Sequence, residues 1–355
     1  MRLLEALIPF LSPAVMAWLL ASCSASGGEA TDRAAHQSSE VPDTFRVSPV
    51  LSIGDPELGL IVNAFVRRDR IYVANSALSE VREYDLSGNL VRRIGRRGAG
   101  PGEFLFLRWI APLEPDSLVA LDREAWRVTV FGPDGRYARS FSLRLVEYGQ
   151  PEWIAAYGHG FALGFSKGLD PRRMGSLFRD SVFIALTPVQ GPEQEQGGAQ
   201  LLPPVPGRWW ARLSSQSVRA VVEGAQPLFS SRDSILMIAP SDSHYVKRWT
   251  GRGWTVIALC RQGWTNGTVS HYPGVSVRLY DHLTVAADGT FWLAEHRVRS
   301  DSLRYWRVFS GDGRLQALVP LPAGVTVWQV DGNRLLGTRA TEAGLEYVEL
   351  LELVR

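Results

Sequence analysis

The chain has 355 residues, 45% hydrophobic and 21% charged, with 38 Lys and Arg against 36 Asp and Glu and a formal charge of +2. That is the composition of an ordinary globular protein with enough apolar material for a large core. A surplus so slight, with the arginines spread along the chain, argues against a nucleic-acid surface. Short runs of Val, Ile, Leu and aromatic residues separated by Gly, Asp, Ser and Pro predict an all-β chain.

In chain order, the first segment reads as a targeting signal. Met1 and Arg2 supply a positive start, residues 6–21 are uncharged and mostly apolar, and Leu20-Ala21-Ser22-Cys23 closes the run. Sixteen residues interrupted by Pro9 and Pro13 fall short of the roughly 20 that a membrane-spanning helix needs. The closing tetrapeptide resembles the bacterial lipobox, which implies a signal peptide over 1–22 and lipidation of Cys23. Acyl chains on that residue would anchor the protein on a membrane while its body stays in water. Residues 23–43 are rich in Ser, Ala and Gly and are expected to be a tether spanning roughly 25 Å. With Cys23 lipidated, only Cys260 remains; in the strand-like Val256-Ile-Ala-Leu-Cys it is expected to be a small buried hydrophobe.

From residue 44 onward one pattern recurs six times: a polar residue, then an apolar strand-forming run one place later. It begins at Asp69, Asp116, His159, Asp233, Asp288 and Asn333, at intervals of 47, 43, 74, 55 and 45 residues. That period is the size of a four-stranded propeller blade. A second repeat sets its phase: Tyr84, Phe131 and Phe309 are each followed four places on by Gly88, Gly135 and Gly313, with Trp249-Thr-Gly-Arg-Gly-Trp a further copy and a diverged one expected near 183–191. Each reads as a strand ending on a buried aromatic, a turn whose glycine takes positive φ, and a return strand.

The fold expected is a six-bladed β-propeller over 44–355. Its blades lie near 59–95, 107–143, 153–202, 217–261, 277–321 and from 325 to the C-terminus. Blade six offers only three strands, and the lone strand at 45–53 is expected to supply the fourth and close the ring. The Pro-rich stretch 189–216, which holds Trp209 and Trp210, reads as an inserted loop between blades three and four whose tryptophans pack over the ring or line a ligand mouth.

Ile94-Gly-Arg-Arg-Gly-Ala-Gly-Pro-Gly-Glu-Phe104, followed by Asp116-Ser-Leu-Val-Ala-Leu-Asp122 and Trp126-Arg-Val-Thr-Val-Phe131, resembles an NHL-type repeat. More narrowly it resembles the bacterial six-bladed β-propeller lipoproteins that carry this linker in their first blades. The likeness implies the fold and a cell-envelope address, facing the periplasm or the exterior. It implies no catalytic residues.

The chemistry-bearing patterns are weak. Gly95, Gly98, Gly100 and Gly102, flanked by Arg92, Arg93, Arg96 and Arg97, invite a phosphate-loop reading, but no Gly-Lys-Ser/Thr follows. A blade-to-blade linker needing positive φ explains these glycines. Asn75, Asp122 and Glu295 recur at equivalent strand ends and are expected to cap loops. No Gly-x-Ser-x-Gly elbow occurs and the histidines lack zinc spacing.

The reading that results is a non-enzymatic, monomeric binding or scaffold lipoprotein for a protein, peptide or glycan, without cofactor. Arg108, Trp109, Glu152, Trp153, Asp281, His282 and Trp328, all on innermost strands, are its candidate ligand-binding residues. The alternative is a Ca²⁺-dependent hydrolase like the lactonase-type propellers, with Asn63, Glu152 and Asp281 as metal ligands and Asp331 near them.

Overall fold

The computed structural model describes residues 43–143, 148–166, 177–188, 199–214, 217–221, 224–259, 275–296, 302–341 and 343–354. The signal segment, Cys23, the tether up to residue 42, Cys260 and the stretch 189–198 lie outside the described residues, so the expectations placed there stand as they were.

Short apolar strands, the middle ones buried along almost their whole length, form six small sheets, and the molecule is a six-bladed β-propeller. Blade one comprises Ile61–Arg67, Arg70–Asn75, Glu80–Asp85 and Leu90–Ile94. Blade two comprises Leu107–Leu113, Ser117–Asp122, Arg127–Phe131 and Tyr137–Ser142. Blade four runs from Pro227–Arg232 to Trp254–Ala258, and blade five from Tyr280–Val285 to Leu315–Pro322. Each of the six polar signal residues lies in the turn between the first and second strands of its blade.

Closure is as the sequence suggests. Blade six contributes Val325–Asp331, Arg334–Ala340 and Glu346–Val354, and Arg46–Ile53 pairs antiparallel with the last of these, from Arg46 opposite Val354 to Ile53 opposite Val348. One residue pair upstream, Asp43–Thr44 adds parallel to the outer strand of blade five, opposite Ala317 and Leu318. The N-terminal segment therefore ties two blades.

The turn glycines behave as the second repeat requires, with φ of 87° at Gly88, 74° at Gly135 and 90° at Gly313. The aromatic that ends each preceding strand is buried: Tyr84, Phe131 and Phe309 are each 1% exposed. In the fourth copy positive φ falls on Gly251 instead, because Trp249 pairs directly with Trp254 and the turn is tighter.

Blade three departs from expectation. Its strands are Gln150–Tyr157, Gly160–Ser166 and Leu177–Pro188, and its fourth is Val205–Arg212, drawn from the stretch read as an inserted loop. Val218–Ala220 adds a fifth strand, so blade four begins at Pro227 and not near residue 217. The Pro residues masked the strand: Pro203, Pro204 and Pro206 sit before or at its first residues, where a missing N–H is tolerated.

The core is distributed. Six apolar clusters each lie between neighbouring blades. Phe65, Ala74 and Ile94 of blade one meet Ile110, Leu118 and Phe131 of blade two, for example, and Tyr84 and Ile71 meet Leu336 and Val348 of blade six. Each fully buried Ile, Leu or Phe contributes about 1.5–3 kcal/mol, so an unclosed ring would forfeit a whole cluster. Gly95 shows the linker's constraint: at φ 73°, a Cβ there would sit 2.3 Å from the Phe104 ring. Within the linker Glu103 accepts from Gly100 N–H at 2.9 Å and pairs with Arg96 at 2.8 Å.

Candidate functional site

The innermost strands of five blades are not regular. Pairing with the second strand shifts between Ile61 and Asn63, Leu107 and Trp109, Pro151 and Trp153, Tyr280 and His282, and Val327 and Gln329. The extra residues at these bulges are Val62, Arg108, Glu152, Asp281 and Trp328. A bulge frees one residue from the ladder and re-aims its side chain. Blade four, paired regularly from Pro227 to Arg232, has none there.

Four of the bulged residues and three that follow a bulge, Trp109, Trp153 and His282, line one central cavity of about 640 Å³. All seven candidate ligand-binding residues therefore lie in the same wall. They form an aromatic collar: Trp109 meets Trp328 edge-on at 5.8 Å in front of blade one, and Trp328 meets His282 at 5.0 Å. Trp153 stacks on Phe229 of blade four at 4.8 Å. Trp153 also needs the glycine opposite it, because a Cβ on Gly164 would lie 2.0 Å from its indole nitrogen.

Charged side chains surround the collar at the strand-start end. Arg108 Nη2 donates to Glu152 at 3.2 Å, and Arg123 takes the other oxygen of Glu152, also at 3.2 Å. Asp281 accepts from His296 Nδ1 at 2.8 Å and pairs with Arg304 at 3.2 Å and Arg278 at 3.3 Å. Burial pushes the Asp281 carboxyl up, yet the hydrogen bond and charge of His296 and the two guanidinia hold it below its ordinary value. Burial and the Arg304 charge push the His282 imidazole down to about 4 against the pull of Asp281, so it is neutral at pH 7.

At the opposite, hairpin end, side chains cross-link the blades. Arg232 of blade four pairs with Asp331 of blade six at 2.6 Å, passing in front of blade five. Gln329 donates to Val66 O at 3.0 Å and accepts from Val66 N–H at 2.8 Å. Arg67 donates to Leu113 O and Ser117 O at 3.0 and 2.6 Å.

The residues of the calcium alternative are placed in this frame. Asn63 spends both ends of its amide on Ile110, donating at 2.7 Å and accepting at 3.0 Å. Glu152 and Asp281 hold the arginine partners just given. Among the described residues, no group of three or more His, Cys, Asp or Glu is arranged to hold a metal ion.

Of the expected loop caps, Asn75 accepts from Gly59 N–H and donates to Glu57 O, and Asp122 accepts from Leu105, Phe106 and Ala125 N–H. Glu295 instead pairs with Arg307 at 2.6 Å. Trp209 packs with Ala211, Val221 and Val275, while Trp210 donates to buried Asp180 at 2.9 Å and lines the cavity. Sequence reasoning missed Arg123, Arg208, Asp180 and Phe229 in that wall. Phe229 follows Pro227 on an innermost strand and could have been found by counting from the blade start; the others come from second or outer strands.

A family model described as a 6-bladed beta-propeller matches residues 45–147. No curated protein sequence matches the chain. Among solved structures, a Bacteroides fragilis protein described as exported is similar at 10% identity and TM-score 0.50, over 88% of this chain and 96% of its own. A DUF4221-family member from Bacteroides vulgatus is similar at 9% identity and TM-score 0.50, over 89% and 98%. The PQQ-bound aldose sugar dehydrogenase of Streptomyces coelicolor is similar at 12% identity and TM-score 0.50, over 88% and 100%. At such identities these likenesses carry the fold alone.

Proposed function

We propose that the protein is a non-enzymatic binding or scaffold module of the cell envelope, anchored by lipid at Cys23, whose channel mouth receives a protein, peptide or glycan. The observation that carries this reading is the set of bulges. Equivalent positions in four blades aim an arginine, a glutamate, an aspartate and a tryptophan into one cavity. Repetition that serves the fold would repeat the chemistry as well. Unlike side chains at like positions, in a concave site of ligand size, are what recognition needs. The carboxylates there are held by arginines and the imidazole is neutral, an arrangement that fixes shape and charge rather than poising an acid and a base.

The test is capture from a detergent-solubilised envelope extract by the wild-type protein and by the Arg108→Glu/Trp328→Ala double variant. A partner held by the first and lost by the second, with both proteins folded, supports the mouth as the site. Equal retention by both would sink it. For the address, Cys23→Ser should move the protein out of the detergent phase; unchanged partitioning refutes lipidation. Calcium or EDTA should leave the melting temperature nearly unmoved, because an ion bound to the native state would raise it by mass action.

A further inference from the structure

The hydrogen-bonding capacity left over in the mouth is one-sided. Glu152 gives one oxygen to Arg108 and the other to Arg123. The Asp180 carboxylate is filled by Trp210 Nε1 at 2.9 Å, Ser166 Oγ at 3.1 Å and the Arg208 N–H. Asp281 is held by His296, Arg278 and Arg304. Each of these carboxylates is therefore held by donors of the chain.

Donors are left. Arg108 Nε is buried without an acceptor among the described residues, and Arg108 makes a single hydrogen bond, through Nη2. Arg208 lines the cavity, and its guanidinium has no ion-pair partner among the described residues. On the blade-two and blade-three side, the lining holds Arg108, Arg123 and Arg208 against Glu152 and Asp180, a surplus of positive charge. An arginine carries five N–H donors, so Arg108 and Arg208 keep donors for a planar anionic acceptor in the cavity. Below the donors lie the faces and edges of Trp109, Trp153 and Trp328, which take a ring or apolar body.

We propose that the channel mouth binds a small carboxylate carried on a ring, with the carboxylate on Arg108 and Arg208 and the ring against the Trp109–Trp153–Trp328 collar. This rests on the reading of the mouth as a binding site and names its ligand chemistry. Arg is suited to the task because its planar fork matches a carboxylate with two parallel bonds. The cavity volume lies in the range that encloses ligands of drug size. A sugar acid and an aryl acid share this chemistry, and the experiment separates them.

Ligand-observed NMR and calorimetry on the purified protein would use D-glucuronate beside D-glucose, and indole-3-acetate beside indole-3-acetamide. At least one carboxylate should bind ten times more tightly than its neutral counterpart or better, and the pair that shows the difference identifies the source. Arg108→Gln should weaken that carboxylate at least tenfold, and the exposed Arg208→Gln severalfold, with the neutral counterpart unaffected and the melting temperature held. Equal binding of acid and neutral counterpart, abolished by Trp328→Ala, would overturn the carboxylate while leaving the mouth as a binding site. So would no binding of any probe at millimolar concentration while envelope capture still depends on the mouth. Capture indifferent to the mouth variants would bring down both readings.

Discussion

The seam where blade six meets blade one and the mouth beside blades two, three and five use the same residue types to different ends. At the seam Arg82, with no exposed surface, meets Glu80 at 2.6 Å, Glu57 at 2.7 Å and Asp55. Gln329 spends both ends of its amide on Val66, and Glu346 accepts from Ile61 N–H at 2.6 Å. Each nitrogen of Arg82 meets a carboxylate, and both ends of the Gln329 amide are used. In the mouth Arg108 has one bond to a carboxylate and the Arg208 guanidinium none among the described residues. An arginine with a carboxylate on every nitrogen is holding the ring, and one with nitrogens to spare is available to something outside the chain.

Substitutions at the two places should separate stability from binding. Deleting residues 44–53 removes the strand that completes blade six and exposes the edge of Glu346–Val354; gel filtration should show aggregate in place of monomer, and a deletion variant melting like the parent would refute the closure. Arg82→Met strands Glu80 and Asp55, while half-exposed Glu57 keeps Arg93, and should cost about 3–5 kcal/mol in urea unfolding. Gln329→Leu leaves Val66 N–H and C=O unmet and should cost about 2–4 kcal/mol by the same measurement.

His282 links the comparison to pH. Its folded value of about 4 lies below the ordinary 6.5, so the unfolded chain binds the proton first. Its contribution is complete above pH 6.5 and is lost as pH falls toward 4, by at most about 3 kcal/mol. Unfolding followed between pH 7 and 4 should show a shallower loss in His282→Gln. Smallest of all, Arg108→Gln should change stability by no more than about 0.5 kcal/mol. If it destabilised as Arg82→Met does, the distinction between seam and mouth would collapse.

Blades one, two and five were legible because each carries its polar turn signal and its aromatic-to-glycine spacing within one span of chain, and blade six because its turn signal stands at Asn333 and the one strand it lacks is supplied by the lone run at 45–53. Blade three was not: its fourth strand lies beyond residues 189–198 and opens among prolines that read as loop. Within the site, the candidate residues could be chosen because innermost strands follow from the blade count. The bulges could not, since an extra residue in a ladder is defined only against the partner strand. Arg208 and Asp180 reach the cavity from outer strands of blade three and carry no local mark.

The sequence by itself determined the repeat, the number of blades, the strand that closes the ring and the residues of the inner wall, because period, turn chemistry and alternation are local and survive in one dimension. Only the tertiary structure decided which of those residues are spent and which are spare. Arg82 and Arg108 look alike along the chain. One is ringed by carboxylates that arrive from the N-terminal strand's far end and its own blade, the other faces a cavity, and that difference exists only once the ring is closed.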